Sequence, residues 1–289
     1  MKPPEFRYVA ARSIDEAVAA LAKHDGDAKV LAGGQSLTPM LNFRLIHPSL
    51  LVDINRIQGL DGVQASKGGL KIGALTRHRT IEVSPVISER QPLLAAAAAQ
   101  VGHLAIRNRG TFGGSIAHND PAAEFPMVAV LLDAKIKAKG AAGERSIDAK
   151  DFFVSYLTTS LKEGEIVIEV EIPDLPANTG WGLEELSRRP GDFALAAVCA
   201  AVTLKDGKCA GARISMAGVG PKALRAASAE KILAGQKIGD EVLKKAAAAA
   251  RGDADPTNDV HASADFRRHL VEVLTERALR AACERAARA

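Results

Sequence analysis

Apolar runs of strand length alternate with stretches of helical periodicity along this chain, and glycine or proline marks most junctions. Ser13-Ile14-Asp15-Glu16 has the form of a capping box, which predicts a helix through about Lys23. Lys29-Val30-Leu31 reads as a short strand leading into a glycine-rich segment. Thr38-Pro39 can open a brief helix, because proline is tolerated in the first turn, and Leu50 to Ile54 reads as the next strand. These elements form a small β–loop–α–β lobe. A second lobe begins near Leu60, with a strand at Leu70 to Ala74 and a helix over 93–103 before a second glycine-rich segment. Asp120-Pro121, a carboxylate cap followed by proline at the first helical position, predicts a helix running through Leu132, with strands after it at 134–139 and 166–172.

Residues 173–178, with two prolines, read as a linker. Beyond it a long apolar strand is expected over 193–204, and Asp206-Gly207 is a hairpin turn into a strand at 210–216. Helices near 222–234, 240–251 and 262–287 finish the chain, the alanine run 246–250 being good helix-forming sequence. The resulting division is 1–175, in lobes of about 1–58 and 59–175, and 176–289.

The candidate chemistry lies in the two glycine segments, Leu31-Ala32-Gly33-Gly34-Gln35-Ser36-Leu37 and Arg109-Gly110-Thr111-Phe112-Gly113-Gly114-Ser115. Each sets paired glycines and a serine directly after an apolar run. Glycine permits φ > 0 and close approach of main chain to a ligand, and successive N–H groups in such a turn suit phosphate oxygens. One segment alone reads as a tight turn; two of one design point to a ligand with two adjacent phosphates, a dinucleotide.

Composition narrows the alternatives. At 289 residues, two or three packed subdomains are expected; 47% apolar and 25% charged residues are ordinary for a globular chain. Aromatic residues, at 4%, are too few for a sugar cleft or a base-stacking nucleic-acid surface. The net charge of +4 is modest, and its C-terminal arginines read as solvated helix faces. The N-terminal residues carry no apolar signal region and no stretch approaches bilayer length, so a cytoplasmic protein is expected. Cys199, Cys209 and Cys283 are isolated, which excludes a disulfide framework and an internal iron–sulfur cluster.

Several motifs are set aside. Gly218-Val219-Gly220-Pro221-Lys222-Ala223 fits a dinucleotide fingerprint, but Pro221 removes an N–H and no acidic strand end follows about twenty residues on. It reads as a strand-to-helix turn. The seven histidines show no zinc spacing, and His118 beside the second segment is either structural or faces a ligand. Without a nucleophile elbow, Ser36 and Ser115 read as phosphate donors.

Taken together, Ala32 to Leu37 with Pro39 and Arg44, Ile72-Gly73-Ala74 with Thr76 and His78, Ile106 to Ser115, Ala117 to Glu124, and Arg188-Arg189-Pro190-Gly191-Asp192-Phe193-Ala194 resemble the FAD-binding medium subunit of molybdenum hydroxylases, the xanthine dehydrogenase and aerobic carbon monoxide dehydrogenase medium-chain family. The resemblance covers nearly the whole chain. It implies an α+β fold of the p-cresol methylhydroxylase (PCMH) type, two α/β lobes followed by a C-terminal domain with a small antiparallel sheet and three helices.

It also implies bound FAD, with Ala32, Gly33, Gly34, Gln35 and Ser36, and Thr111, Phe112, Gly113, Gly114 and Ser115, along the pyrophosphate. Leu37, Ala74, Thr76 and His78 would lie near the flavin. Ala117, Asp120 and Glu124 follow the second segment, Glu124 matching an acid near the nucleotide; Val167 and Asp192 match positions close to the cofactor. Arg107 would meet a phosphate or a partner, and a lysine that some members carry near Glu185 is missing. The implied role is electron transfer with no catalytic residue of its own, beside a small subunit with [2Fe–2S] clusters and a large molybdopterin subunit, as a dimer of heterotrimers. An independent reductase of the cell-wall-precursor type is the alternative.

Overall fold

The computed structural model describes residues 2–24 and 26–288. The chain opens with β1 (Arg7–Ala10), α1 (Ile14–Ala22), β2 (Ala28–Leu31), α2 (Leu37–Asn42) and β3 (Leu50–Asp53). The strands make a parallel sheet in the order β1-β3-β2, which needs the crossovers α1 and α2. The helix cap forms, with its return arm one residue early: Ser13 Oγ accepts the Glu16 N–H at 3.1 Å and Glu16 accepts the Arg12 N–H at 2.8 Å. Ala17, Val18 and Leu21 then bury one face of α1 over the sheet. All three strands end on one edge, where Leu31 delivers the first glycine segment and Asp53 delivers Asn55.

The next part runs β4 (Val63–Ser66), β5 (Gly69–Gly73), α3 (His78–Val83), α4 (Pro85–Arg90), α5 (Pro92–Gln100), α6 (Leu104–Arg107), α7 (Phe112–His118), α8 (Glu124–Leu131), β6 (Lys135–Gly140), β7 (Gly143–Asp148), α9 (Ala149–Phe152), β8 (Phe153–Ser155), β9 (Thr158–Thr159) and β10 (Ile166–Pro173). Its antiparallel sheet has the order β4-β5-β10-β6-β7. Two boundaries differ from expectation. The helix expected over 93–103 stops at Gln100, because Gly102 turns the chain at φ +48°. The helix expected from Asp120 begins at Glu124. Asp120 instead closes a turn, its Oδ1 accepting the Ala122 N–H at 2.9 Å. That shift leaves Pro126 in the first turn, where its missing N–H costs nothing; a helix from 121 would put it in the interior.

The remainder runs β11 (Thr179–Leu186), β12 (Ala196–Lys205), β13 (Lys208–Ala217), β14 (Leu224–Arg225), α10 (Ala227–Leu233), α11 (Asp240–Asp253) and α12 (Ala264–Ala286). Its sheet has the order β11-β12-β13-β14, so Leu224 and Arg225, expected in a helix, pair as a strand instead. Strand β12 starts at Ala196, leaving Phe193 in a loop and 68% exposed. β11 was not expected. Its two faces do different work: a Cβ at Gly180 or Gly182 would strike main-chain carbonyls of α12, so the glycines let that helix lie flat on the strand. Trp181 and Leu183, facing the other way, pack into the core of the preceding part.

Candidate functional site

The first glycine segment leaves β2 and reverses at Gly34, whose φ is +72°. Among the described residues, no protein acceptor reaches the N–H groups of Gly33, Gly34, Gln35, Ser36 or Leu37. Ser36 stands at the N-cap of α2 without a side-chain cap bond, so its hydroxyl is also uncommitted. A cavity of about 490 Å³ opens over Gly33, Gly34 and Gln35, lined also by Asp53, Asn55 and Arg109. The Arg109 guanidinium has no ion pair among the described residues, and it brings positive charge to a row of free donors. Such a wall suits phosphate oxygens.

The second segment is built differently from the first. It is the start of α7 rather than a loop, and the N–H groups of 112 to 115 are used within the protein. Phe112 N–H binds Thr76 O and Gly113 N–H binds Ala74 O, both at 2.9 Å. Thr111 is the N-cap, its Oγ1 accepting the Gly114 N–H at 3.2 Å. The glycines serve packing: a Cβ at Gly113 would fall 2.5 Å from the Ala74 Cβ, and one at Gly114 would fall 2.6 Å from Thr111 Oγ1. Of the 111–115 segment, the Thr111 N–H and the Ser115 hydroxyl are left without a protein partner among the described residues. The expectation of two matching phosphate loops therefore gives way to one donor-bearing loop and one close-packed wall.

The two segments nevertheless meet. A Cβ on Gly33 would lie 2.5 Å from Arg109 O and 2.8 Å from Gly110 Cα, so main chain rests on main chain. A polar network fastens the contact. Asn55 Nδ2 donates to Ala32 O at 2.8 Å and to Asp53 Oδ1 at 2.7 Å. Arg77 donates to Asn55 Oδ1 at 2.8 Å and to Arg109 O. Tyr8 donates to Asp53 at 2.5 Å. Tyr8, Asp53, Asn55 and Arg77 are absent from the site residues the sequence predicts, and Arg109 enters only as the first residue of the second glycine segment; a polar run after a strand end is the one local sign the first four leave.

Buried polar groups without partners gather beside the second segment. His78 is 6% exposed, and neither ring nitrogen has a hydrogen-bond partner. Burial pushes its imidazole down to about 4, with the charges of Arg77 and Arg107 adding to the effect. The ring stands edge-on to Phe125 at 4.9 Å, as Phe125 does to Phe112. Glu124 precedes Phe125 and is 8% exposed; burial and then Glu185 push its carboxyl up to about 8. Glu185 Oε2 is buried and unpartnered, and burial pushes that carboxyl up to about 7. Buried polar atoms are nearly always satisfied, so this set has the character of a ligand wall. A pyrophosphate-bearing flavin nucleotide fits both parts, the free donors at 33–37 and the orphaned groups beyond.

Other expected residues have different work. The Thr76 hydroxyl is spent on Gly62, donating to its O and accepting its N–H, both at 2.9 Å. Phe112 and Val167 are core side chains, Val167 beside a β-bulge. Ala74 supports Gly113. Leu37 and Ala117 are half-buried at the two segments, and Gln35 is exposed and donates to Gly33 O. The Asp192 carboxylate binds Arg189 at 3.1 Å and Arg188 at 3.4 Å within its own loop. Arg107 binds Glu82 at 2.9 Å and the Val101 and Gly102 carbonyls, which resolves its role in favour of structure. His118 ends α7, half-buried, its imidazole lowered by burial.

Comparison with known proteins agrees with this geometry. Residues 4–175 match the FAD binding domain in molybdopterin dehydrogenase, and residues 181–282 match the CO dehydrogenase flavoprotein C-terminal domain. The chain is 46% identical over 287 residues to the alpha subunit of the 6-hydroxypseudooxynicotine dehydrogenase complex of Paenarthrobacter nicotinovorans, covering 99% of this chain and 97% of that one. Its fold matches carbon monoxide dehydrogenase of Hydrogenophaga pseudoflava with a TM-score of 0.97 at 39% identity, covering 99% of each chain. It matches quinoline 2-oxidoreductase of Pseudomonas putida 86 with a TM-score of 0.94, also at 39% identity and 99% coverage of each chain. The chain thus has the PCMH-type FAD-binding fold and belongs to the FAD-binding medium subunits of the molybdenum hydroxylase family, as an oxidoreductase subunit.

Proposed function

We propose that this chain is the electron-transfer subunit of its complex, carrying electrons from [2Fe–2S] clusters of a small partner to an external acceptor. A large molybdopterin partner would hold the substrate, in a dimer of heterotrimers. Bound FAD would supply the redox chemistry, accepting electrons singly or in pairs. The observation that carries the reading is the meeting of the two glycine segments under one row of free N–H groups. The N–H groups of Gly33 to Leu37, the Ser36 and Ser115 hydroxyls and Arg109 would hold the pyrophosphate. Buried His78 and Glu124 would border the flavin and keep water from it. No group of three or more His, Cys, Asp or Glu among the described residues could hold a metal ion.

The test is anaerobic. Organic substrate is added first to the isolated chain and then to the complex reconstituted with its partners, and flavin bleaching is followed. Bleaching only in the complex is expected. Bleaching in the isolated chain would overturn the relay and favour an independent flavoenzyme; recovering FMN instead of FAD on extraction would remove the two-phosphate reading.

A further inference from the structure

Arg267, in the first turn of α12, is 6% exposed, and its guanidinium binds groups from three segments. Nη1 donates to Leu195 O at 2.5 Å and to Gly218 O at 3.0 Å. Nη2 donates to Asp259 Oδ2 at 2.6 Å, and that carboxylate reaches solvent and balances the charge. Main chain crowds at this point: a Cβ on Gly218 would lie 2.8 Å from Ala194 O and 3.1 Å from Leu195 O. Carbonyl oxygens gathered in this way repel one another, and each needs a donor once water is excluded. A guanidinium, with its planar fork of N–H groups, relieves both problems.

The two segments joined by Arg267 run on to the second glycine segment from opposite sides. Gly218 N–H donates to Pro121 O at 2.8 Å, in the turn between α7 and α8. The loop before Leu195 lies on the residues that precede α6: a Cβ on Gly191, at φ +86°, would fall 2.6 Å from His103 Nδ1 and 3.1 Å from the Gly102 carbonyl carbon. Gly102 O in turn accepts from Arg107, which leads into Arg109. One arm therefore meets the chain just before the 109–115 segment and the other just after it. The arms leave the β12–β13 ladder beyond its last pair, Ala197 with Ala217. Past that pair, among the described residues, Arg267 is the side chain that bonds to both.

Resting on the FAD reading above, we propose that Arg267 is a positioning residue for the cofactor. By fixing where the two arms leave the ladder, it fixes both approaches to the second glycine segment and so sets FAD affinity without touching the nucleotide. Lysine, a single point charge on a flexible stem, cannot span two carbonyls and a carboxylate as the fork does.

The experiment titrates the full-length apoprotein with FAD, followed by flavin fluorescence, beside the visible circular dichroism of the bound flavin and a thermal melt of the apoprotein. Arg267→Met keeps an apolar stem and removes the fork. It should raise the Kd for FAD roughly tenfold, the order of one lost charged hydrogen bond, and alter the flavin dichroism. Arg267→Lys should recover part of the affinity. Asp259→Asn serves if the methionine variant folds poorly. Its Oδ1 still accepts the His261 and Ala262 N–H groups, while its Nδ2 faces Nη2 donor to donor, so Kd should rise in the same direction. Leu274→Ala, which opens a cavity under the same helix, is the comparison. A loss of stability alone lowers the melting temperature and leaves Kd, which compares two folded states, where it was. Unchanged Kd and dichroism in both Arg267→Met and Asp259→Asn would overturn the inference and leave the FAD site standing. An equal rise of Kd in Leu274→Ala would also overturn it, by marking the effect as general loosening. Failure of the wild type to bind FAD would overturn the FAD reading itself and this inference with it.

Discussion

Gly33 is where a single hydrogen atom decides whether the site can exist. Its absent side chain lets β2's loop touch the main chain at Arg109 and Gly110, and a Cβ there has no flexible neighbour to displace. Gly33→Val should therefore abolish flavin binding, and it should cost about 1–3 kcal/mol of stability as an overpacked contact. Visible flavin absorbance after purification, together with a thermal melt, checks both. A Gly33→Val protein with full flavin occupancy would show that the two segments need not touch. Arg77 makes the complementary point, because it joins the same segments by hydrogen bonds to Asn55 and Arg109. Arg77→Ala should leave Asn55 and the Arg109 carbonyl unpaired and weaken FAD by about tenfold, the order expected from losing one charged hydrogen bond. Equilibrium titration with FAD reads it; an unchanged Kd would mean the segments are aligned without the network.

At the scale of elements, α7 connects the site to the hairpin of β8 and β9. Asn119 caps the helix in the left-handed region at φ 50° and is fully buried. Its Nδ2 donates to Ser155 O at 2.7 Å and Thr158 O at 2.8 Å, and its O accepts the Leu157 N–H. Asn119→Gly keeps the backbone conformation and removes both side-chain bonds, so the Ser155 and Thr158 carbonyls of the hairpin lose partners, at about 1 kcal/mol each. Limited proteolysis within 153–159 should accelerate in that variant, and equal cleavage of variant and wild type would show that the hairpin stands without the clamp. The element scale also shows where local signals mislead. The helix cap at Ser13 reads correctly because every group it uses lies within four residues. Asp120-Pro121 misleads because a carboxylate before proline closes a turn as readily as it caps a helix. The choice was made by Pro126 and by the bond from Gly218 N–H to Pro121 O, 2.8 Å long and made by a distant strand end.

For the whole molecule, the buried titratable groups set opposite limits on stability. His78 has a folded-state value below its ordinary 6.5, so the unfolded chain takes up the proton first. Its contribution is full above about pH 6.5 and is lost as pH falls toward about 4, on the order of 3 kcal/mol. Glu124 and Glu185 have folded-state values above their ordinary 4.5, so the fold prefers their neutral forms. Their contribution is full below about pH 4.5 and is lost as pH rises through about 7 to 8. A melting temperature that peaks between these limits is expected. His78→Phe should flatten the acid limb and Glu185→Gln the alkaline limb, whatever either does to the maximum; limbs unchanged in both would place the titration elsewhere. Much of the architecture was legible in the sequence. The strands at 29–31, 50–54 and 70–74, the long last helix and the 206–207 hairpin follow from apolar periodicity and turn chemistry, which act over a few residues. The resemblance marked both glycine segments as cofactor residues, since spacing and residue type survive in one dimension. The tertiary structure alone decided which donors are free. The 33–37 amides meet no protein acceptor among the described residues, whereas those at 112 and 113 are taken by the Thr76 and Ala74 carbonyls, which are far away in sequence. It alone brought Asn55, Arg77 and Arg109 to one contact and buried the Glu124 and Glu185 carboxyls. Hydrogen-bond satisfaction and desolvation depend on what lies across a packed interface, and no local pattern of residues encodes that.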